Sequence, residues 1–265
     1  MTHTGSARRG AGIALAIAVV GALAIVAFNM WPGLSARPVP REVTPRGDLL
    51  PVEQAIIALF EAARPSVVYI TTQARVVDVW TRNVFDVPRG SGSGFIWDTR
   101  GHVVTNYHVI AGASAATVRL SDGRDVAASL VGVSPEHDLA VMRIEVSSAP
   151  AALPIGASAD VRVGQSAYAI GNPFGLDWTL TTGVVSALDR SLPSGDRRSL
   201  IEHLIQTDAA INPGSSGGPL LDSAGRLIGV TTAIYSPSGA SAGVGFGVPV
   251  DTVARVVPLL IAGGR

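Results

Sequence analysis

The 265-residue chain is 47% hydrophobic and 15% charged, with 20 basic and 20 acidic residues. That neutral balance lacks the positive footprint of a nucleic-acid binder. The absence of cysteine excludes a cysteine nucleophile, a thiolate metal site and any disulfide framework, while 30 Gly and 17 Pro predict a body of strands and turns rather than long helices.

At the N-terminus, Arg8 and Arg9 precede an uncharged run whose apolar core extends from Ala11 to Phe28. About 20 helical residues cross the roughly 30 Å hydrocarbon layer. Positive charge ahead of the segment favours a cytoplasmic tip. Residues 1–30 are therefore expected to form a transmembrane signal-anchor, with the rest of the chain on the periplasmic or extracytoplasmic side. A cleaved signal peptide is the alternative, because the small residues Leu34-Ser35-Ala36 follow. Pro32, Pro38, Pro40 and Pro45 predict a stiff tether over 31–49. A short amphipathic helix follows, with Val52, Ile56, Leu59 and Phe60 on one face, ending before Pro65.

From Ser66 the period changes. Val67–Ile70, Phe95–Trp97, Val103–Thr105, Thr117–Leu120, Leu139–Ile144, Ser166–Ile170, Thr179–Ser186, Leu227–Ala233 and Val244–Val248 read as strands between turn residues. The Pro-containing stretch Val146–Ile155 divides them into two groups, predicting two small barrels over about 66–146 and 155–250. A terminal helix over 251–262 is expected, capped by Asp251 and disturbed at its end by Pro258.

Three segments carry chemistry. Asn212-Pro213-Gly214-Ser215-Ser216-Gly217-Gly218 sets serines on a glycine-rich turn. Such a turn lets a substrate backbone approach and aims successive N–H groups at one point, as an oxyanion requires. Thr105-Asn106-Tyr107-His108-Val109 runs a strand into a turn with a histidine at its end that could shuttle the serine proton. His137-Asp138-Leu139-Ala140-Val141 opens an apolar strand with an aspartate able to orient that histidine. Each segment alone has a plain reading: a hairpin turn, an idle histidine, a strand cap. Together they stand in the order His, Asp, Ser, with the serine alone beyond the divide. That arrangement predicts a catalytic site in the cleft between the barrels. The Ser-Asp-His order of other acyl hydrolases is absent.

With Gly90-Ser91-Gly92-Ser93-Gly94-Phe95, Gly171-Asn172-Pro173-Phe174-Gly175 and Gln206-Thr207-Asp208-Ala209-Ala210-Ile211 added, the body from about Leu50 to Val250 resembles the HtrA/Deg family of trypsin-like serine proteases. The resemblance implies an all-β, chymotrypsin-like double β-barrel and endoproteolysis of unfolded or damaged proteins in the cell envelope. It implies no metal or organic cofactor and no nucleic-acid partner. Carried over by motif, His108 is the general base, Asp138 its orienting partner and Ser216 the nucleophile. The N–H groups of Gly214 and Ser216 form the oxyanion hole, with Ser215 between them. Thr231, Thr232, Ala233 and Ile234 resemble the strand that pairs with the substrate backbone. In the same reading Ala210 and Ile234 line the specificity pocket, with plain core packing equally open, and with no acid there, small or aliphatic residues are expected before the cut.

The sequence also departs from the family. Ser215 stands where the family usually has Asn and could compete as nucleophile, although the glycine pair after Ser216 favours Ser216. Only 15 residues follow Val250, so no PDZ domain is expected. Ser191–Leu200 occupies the place of a regulatory loop, with a plain solvated turn equally open. The resemblance implies a homotrimer built through residues 46–66, which the sequence itself does not demand. A chaperone-like or latent binder of extended segments is the competing function.

Overall fold

The computed structural model describes residues 6–30, 40–194, 200–234 and 241–263. The chain divides into one unit over Met1–Asp48 and another over Leu49–Arg265.

The first unit contains one 25-residue helix, α1 (Ser6–Met30). Among the described residues no helix is long and apolar enough to cross a membrane. The expected transmembrane helix is thus not borne out. Of the expected tether, 31–39 lies outside the described residues, and 40–48 carries no regular structure.

The second unit begins with α2 (Pro51–Ala63). Pro51 starts it without loss because a first-turn N–H has no intrahelical partner, and Glu53 reaches back to the Leu50 N–H at 2.8 Å. Leu59 is buried, and Ile56 and Phe60 pack beside it. Val52, expected on the same face, is exposed.

Among the described residues twelve strands follow. β1 (Val67–Val77), β2 (Val84–Ile96), β3 (His102–Thr105), β4 (Ala115–Arg119), β5 (Asp125–Ser134) and β6 (Leu139–Ile144) close a barrel in the order β1-β2-β3-β6-β5-β4. β7 (Ser166–Gly171), β8 (Thr179–Pro193), β9 (Leu200–Thr207), β10 (Pro219–Leu221), β11 (Leu227–Ile234) and β12 (Gly245–Pro249) close a second in the order β7-β8-β9-β12-β11-β10. The two orders are the same path walked twice. Among the described residues the strands within each barrel pair antiparallel, and Ile155 adds an isolated parallel bridge to Leu227 of β11.

Strand side chains alternate between faces. In the first barrel Val68, Ile70, Ile96, Val103, Val118, Ala140 and Met142 share one core. Their neighbours Val67, Phe95, Val104, Leu139 and Val141 belong to a different cluster, with Tyr168, Ile170, Val230 and Phe246 of the second barrel. β1, β3 and β6 therefore bury both faces, one inward and one against the other barrel. This is why they read as continuous apolar runs instead of alternating ones. A residue slip in register would expose one of the two sets.

Beyond the barrel, β1 and β2 continue as a two-stranded ribbon paired through Val77–Val84. Its side chains Val76, Val77, Val79, Trp80, Val84 and Phe85 are exposed. The sequence reading ended β1 at Ile70 and missed this ribbon.

The terminal helix α4 (Val250–Gly263) starts one residue earlier than expected and contains Pro258 within it. Asp251 does not cap it from outside. Its carboxylate accepts the N–H groups of Ser158 and Ala159 at 3.2 and 2.8 Å, while Ser158 Oγ accepts the Asp251 N–H at 3.0 Å. α4 packs on β5 so closely that a Cβ on Gly132 would lie 3.1 Å from Leu260.

Next to this contact, the 3₁₀ turn Pro135–His137 precedes β6, and Ser134 Oγ hydrogen-bonds His137 Nδ1 at 2.7 Å. Burial holds His137 below the usual histidine range; Glu136 opposes this and Arg255 of α4 adds to it. The unfolded chain then binds the proton more readily than the folded one, so stability falls as pH drops below the ordinary histidine value of about 6.5. Chemical denaturation at pH 7.5 and 5.5 is expected to show a loss at the lower pH that His137→Gln reduces. An equal loss in both proteins contradicts the assignment.

Candidate active site

His108 lies on α3 (Tyr107–Ile110), a single helical turn after β3 where the sequence predicted a plain turn. So short a helix leaves its first N–H groups without intrahelical acceptors. Asp138 supplies them from the position just before the neighbouring strand β6. Its carbonyl accepts the Tyr107 N–H at 3.1 Å and Asn106 Nδ2 at 2.9 Å. Its Oδ1 accepts the His108 N–H at 3.0 Å. Asp138 is thus a cap for the histidine turn, not for the strand it precedes. It does this from a left-handed backbone conformation, φ 51° and ψ 42°, which aspartate tolerates better than most residues.

The other carboxylate oxygen meets the imidazole. His108 Nδ1 lies 2.7 Å from Asp138 Oδ2. Asp138 is buried, whereas the His108 side chain is 43% exposed, so the ring's outer edge faces the cleft. A buried carboxylate needs hydrogen-bond donors to offset lost hydration. Besides His108, Asp138 Oδ2 receives the hydroxyl of Thr232, on β11 of the second barrel.

Ser216 follows on the loop before β10. Its Oγ donates to the Thr232 carbonyl at 3.1 Å. Thr232 therefore touches Asp138 with its side chain and Ser216 with its backbone, and it joins the three sequence-predicted residues into one cluster. Among the described residues no hydrogen bond runs directly from Ser216 to His108.

The loop is held open by its backbone. Gly214 adopts φ +95°. The Ser215 N–H donates to the Asn212 carbonyl at 2.9 Å, and the Gly217 N–H to Thr231 at 2.7 Å. Among the described residues the N–H groups of Gly214 and Ser216 have no acceptor. Two free donors thus flank an engaged one. Ser215 itself is buried, and Gly171 approaches so closely that a Cβ there would lie 3.3 Å from Ser215 Cβ. The segment Gly214-Ser215-Ser216-Gly217-Gly218 has the spelling of the strand-to-helix nucleophile elbow, but the strand β10 follows it, so that context is absent.

The remaining predicted site residues divide. Thr231 is buried, its hydroxyl donating to Ser215 O at 2.7 Å. Ala233 and Ile234 pair through their backbones with Phe246 and Gly245. Their side chains, and with them the Ile234 half of the specificity pocket, lie outside the described residues. Ala210 is half-buried, and its carbonyl accepts the Thr181 hydroxyl at 2.9 Å. The middle of the expected regulatory loop, 195–199, also lies outside the described residues. Among those described, no group of three or more His, Asp or Glu could hold a metal ion. The sequence reading assigned Thr232 to substrate pairing and missed its hydroxyl, because nothing local in a strand reveals which distant carboxylate it meets.

Comparison with known proteins bears on the same region. A trypsin-like peptidase domain matches residues 92–230. The chain is 56% identical over 214 residues to Protease Do-like 1, chloroplastic, of Arabidopsis thaliana, covering 80% of this chain and 49% of that protein. It is 47% identical to Protease Do-like 5, chloroplastic, of the same plant, covering 78% and 70%. The crystal structure of Deg5 superposes with a TM-score of 0.67 at 44% identity, covering 82% of this chain and 98% of that one. The HtrA-type protease AlgW with decapeptide gives 0.67 at 37% identity, covering 80% and 68%. The chain spans about half the length of the first of these curated relatives. With the barrels, the cluster and these likenesses in agreement, the chain belongs to the trypsin-like serine proteases of the HtrA/Deg family.

Proposed function

We propose that this protein is a serine endopeptidase in which His108 is the general base, Asp138 orients it and Ser216 attacks the scissile carbonyl. The observation that carries this reading is the 2.7 Å contact between His108 Nδ1 and a buried Asp138. A carboxylate only accepts hydrogen bonds, so Nδ1 carries the ring proton and Nε2 is left basic toward the cleft. Ser216 loses its proton to Nε2 as its Oγ bonds to the carbonyl carbon. The resulting oxyanion is met by the N–H groups of Gly214 and Ser216. Nε2–H then returns the proton to the leaving amine, and water repeats the sequence on the acyl-enzyme.

The substrate is an extended polypeptide. β10 pairs with β11 only as far as Val230, and Thr231 is still bonded to Gly218 and Gly217 through its N–H and carbonyl, so beyond it residues 232–234 offer an edge on which a peptide can add as a strand. Such pairing reads little sequence, which fits unfolded or damaged proteins. An apolar Ala210 and Ile234 favour small or aliphatic residues before the cut. One observation supports a second reading, a latent resting state: Ser216 Oγ is engaged by Thr232 O. Rotation about one side-chain bond would free it.

The finer reading of location is a membrane anchor with the protease on the periplasmic or extracytoplasmic side. Arg8 and Arg9 followed by an uncharged segment support it. A homotrimer through 46–66 belongs to the same family-based reading.

Fluorophosphonate treatment of the full chain, followed by peptide mapping, is expected to modify Ser216, and Ser216→Ala to abolish turnover of denatured casein with the fold intact. Modification only after denatured protein is added identifies the latent form. A label on Ser215, or none under either condition, contradicts the assignment. In alkaline carbonate fractionation the full chain is expected to sediment with membranes and residues 46–265 to stay in the supernatant. Release of the full chain into the supernatant removes the anchor.

A further inference from the structure

The serine-peptidase reading leaves one buried hydroxyl without a task, and the contacts around it are unusually directed. Ser93 lies on β2 of the first barrel and is fully buried. Its N–H donates to the carbonyl of Ser216 at 2.8 Å. Its Oγ donates to the carbonyl of Gly214 at 2.6 Å and accepts the N–H of Asn172, just past β7, at 2.9 Å. Its own carbonyl accepts the hydroxyl of Thr105, three positions before His108, at 2.7 Å. Every polar atom of the residue is engaged. Both carbonyls flanking the Ser215–Ser216 segment are held by this one residue of the opposite barrel.

We infer that Ser93 is a positioning residue that holds the nucleophile loop in its oxyanion-binding shape; the catalytic half of this inference rests on the reading above. A peptide plane is rigid, so fixing the Gly214 carbonyl also fixes the opposed Ser215 N–H, which is the group that closes the turn onto Asn212. Fixing the Ser216 carbonyl does the same for the Gly217 N–H, which is anchored to Thr231. The plane between them, which carries the Ser216 N–H, is held at the Ser215 carbonyl by the Thr231 hydroxyl at 2.7 Å and the Gly218 N–H at 3.0 Å, so the clamp of Ser93 completes the fixing of three successive planes. The space confirms how close the approach is. A Cβ on Gly217, whose φ is +87°, would lie 2.2 Å from Ser93 O and 2.3 Å from Thr105 Oγ1. A Cβ on Gly171 would lie 3.0 Å from Ser93 Oγ. Glycines at 171 and 217 thus let the hydroxyl reach the loop. Ser93 also ties the strand that leads to His108 to the loop that carries Ser216, so base and nucleophile share one anchor.

The test compares Ser93→Ala and Ser93→Thr in the full chain. Turnover of a peptide p-nitroanilide with valine before the cut is expressed per fluorophosphonate-titrated site, so a misfolded fraction does not count. Amide exchange is followed over 212–218 and, as a reference, over 245–249 of β12. Ser93→Ala is expected to lower kcat per site by roughly 10- to 100-fold with KM within about twofold. Exchange in 212–218 is expected to quicken by roughly tenfold or more while β12 is unchanged. Ser93→Thr, which keeps the hydroxyl, is expected to restore both. Unchanged kcat per site together with unchanged loop exchange in Ser93→Ala overturns the inference, as does equal quickening in 212–218 and β12. If the wild type neither labels nor turns over, the peptidase reading has failed, and loop exchange alone decides whether Ser93 clamps the loop.

Discussion

The carboxylate of Asp138 is the point on which the two barrels agree. It is buried, and burying a carboxylate costs several kcal/mol unless donors replace water. Three donors do so: the His108 N–H, the His108 ring and the Thr232 hydroxyl. Two come from the first barrel and one from the second. Moving the barrels apart would leave the carboxylate short of a donor, so the charge that orients the histidine also holds the cleft together. The chemistry and the assembly of the site thus depend on the same group.

The apolar core serves the same end. β1, β3 and β6 place one set of side chains inside their own barrel and the alternate set against the second barrel. His108 and Asp138 sit at the ends of β3 and β6, which are paired from His102–Arg143 to Thr105–Ala140. Rigid, doubly buried strands therefore deliver both residues to one edge, within hydrogen-bond range. Ser216 arrives by a different route, on a loop with little regular structure, and loops need local fixing to be precise. The carbonyl contacts with Thr231, Thr232 and Asn212 supply it.

Much of this was legible in the sequence. Continuous β-branched runs gave nine of the strands, and the order His, Asp, Ser on either side of Val146–Ile155 gave the cleft. What escaped has physical reasons. β5 is built largely of Ala, Ser, Gly and Val with one side half-exposed, so its period is faint. β10 is only three residues long. The repeated strand order of the two barrels left no internal repeat in the sequence, because hydrogen-bonded topology constrains pattern far more than identity. The helical character of the histidine turn escaped because its cap, Asp138, is remote in the chain. Asp251 was misread for the converse reason: a good local capping residue was recruited by Ser158 and Ala159 instead. Thr232 and Ser93 act through contacts with other strands, and a single sequence carries no sign of those.

The claim at the centre is that Asp138 fixes the tautomer of His108, and the most direct measurement is ¹⁵N NMR of the His108 imidazole in the full chain at pH 8. The account requires Nδ1 to carry the proton, strongly deshielded by the carboxylate, with Nε2 unprotonated, and it requires Asp138→Asn to abolish that deshielding. A neutral ring protonated on Nε2, or an Nδ1 proton indifferent to the Asp138 substitution, would contradict it.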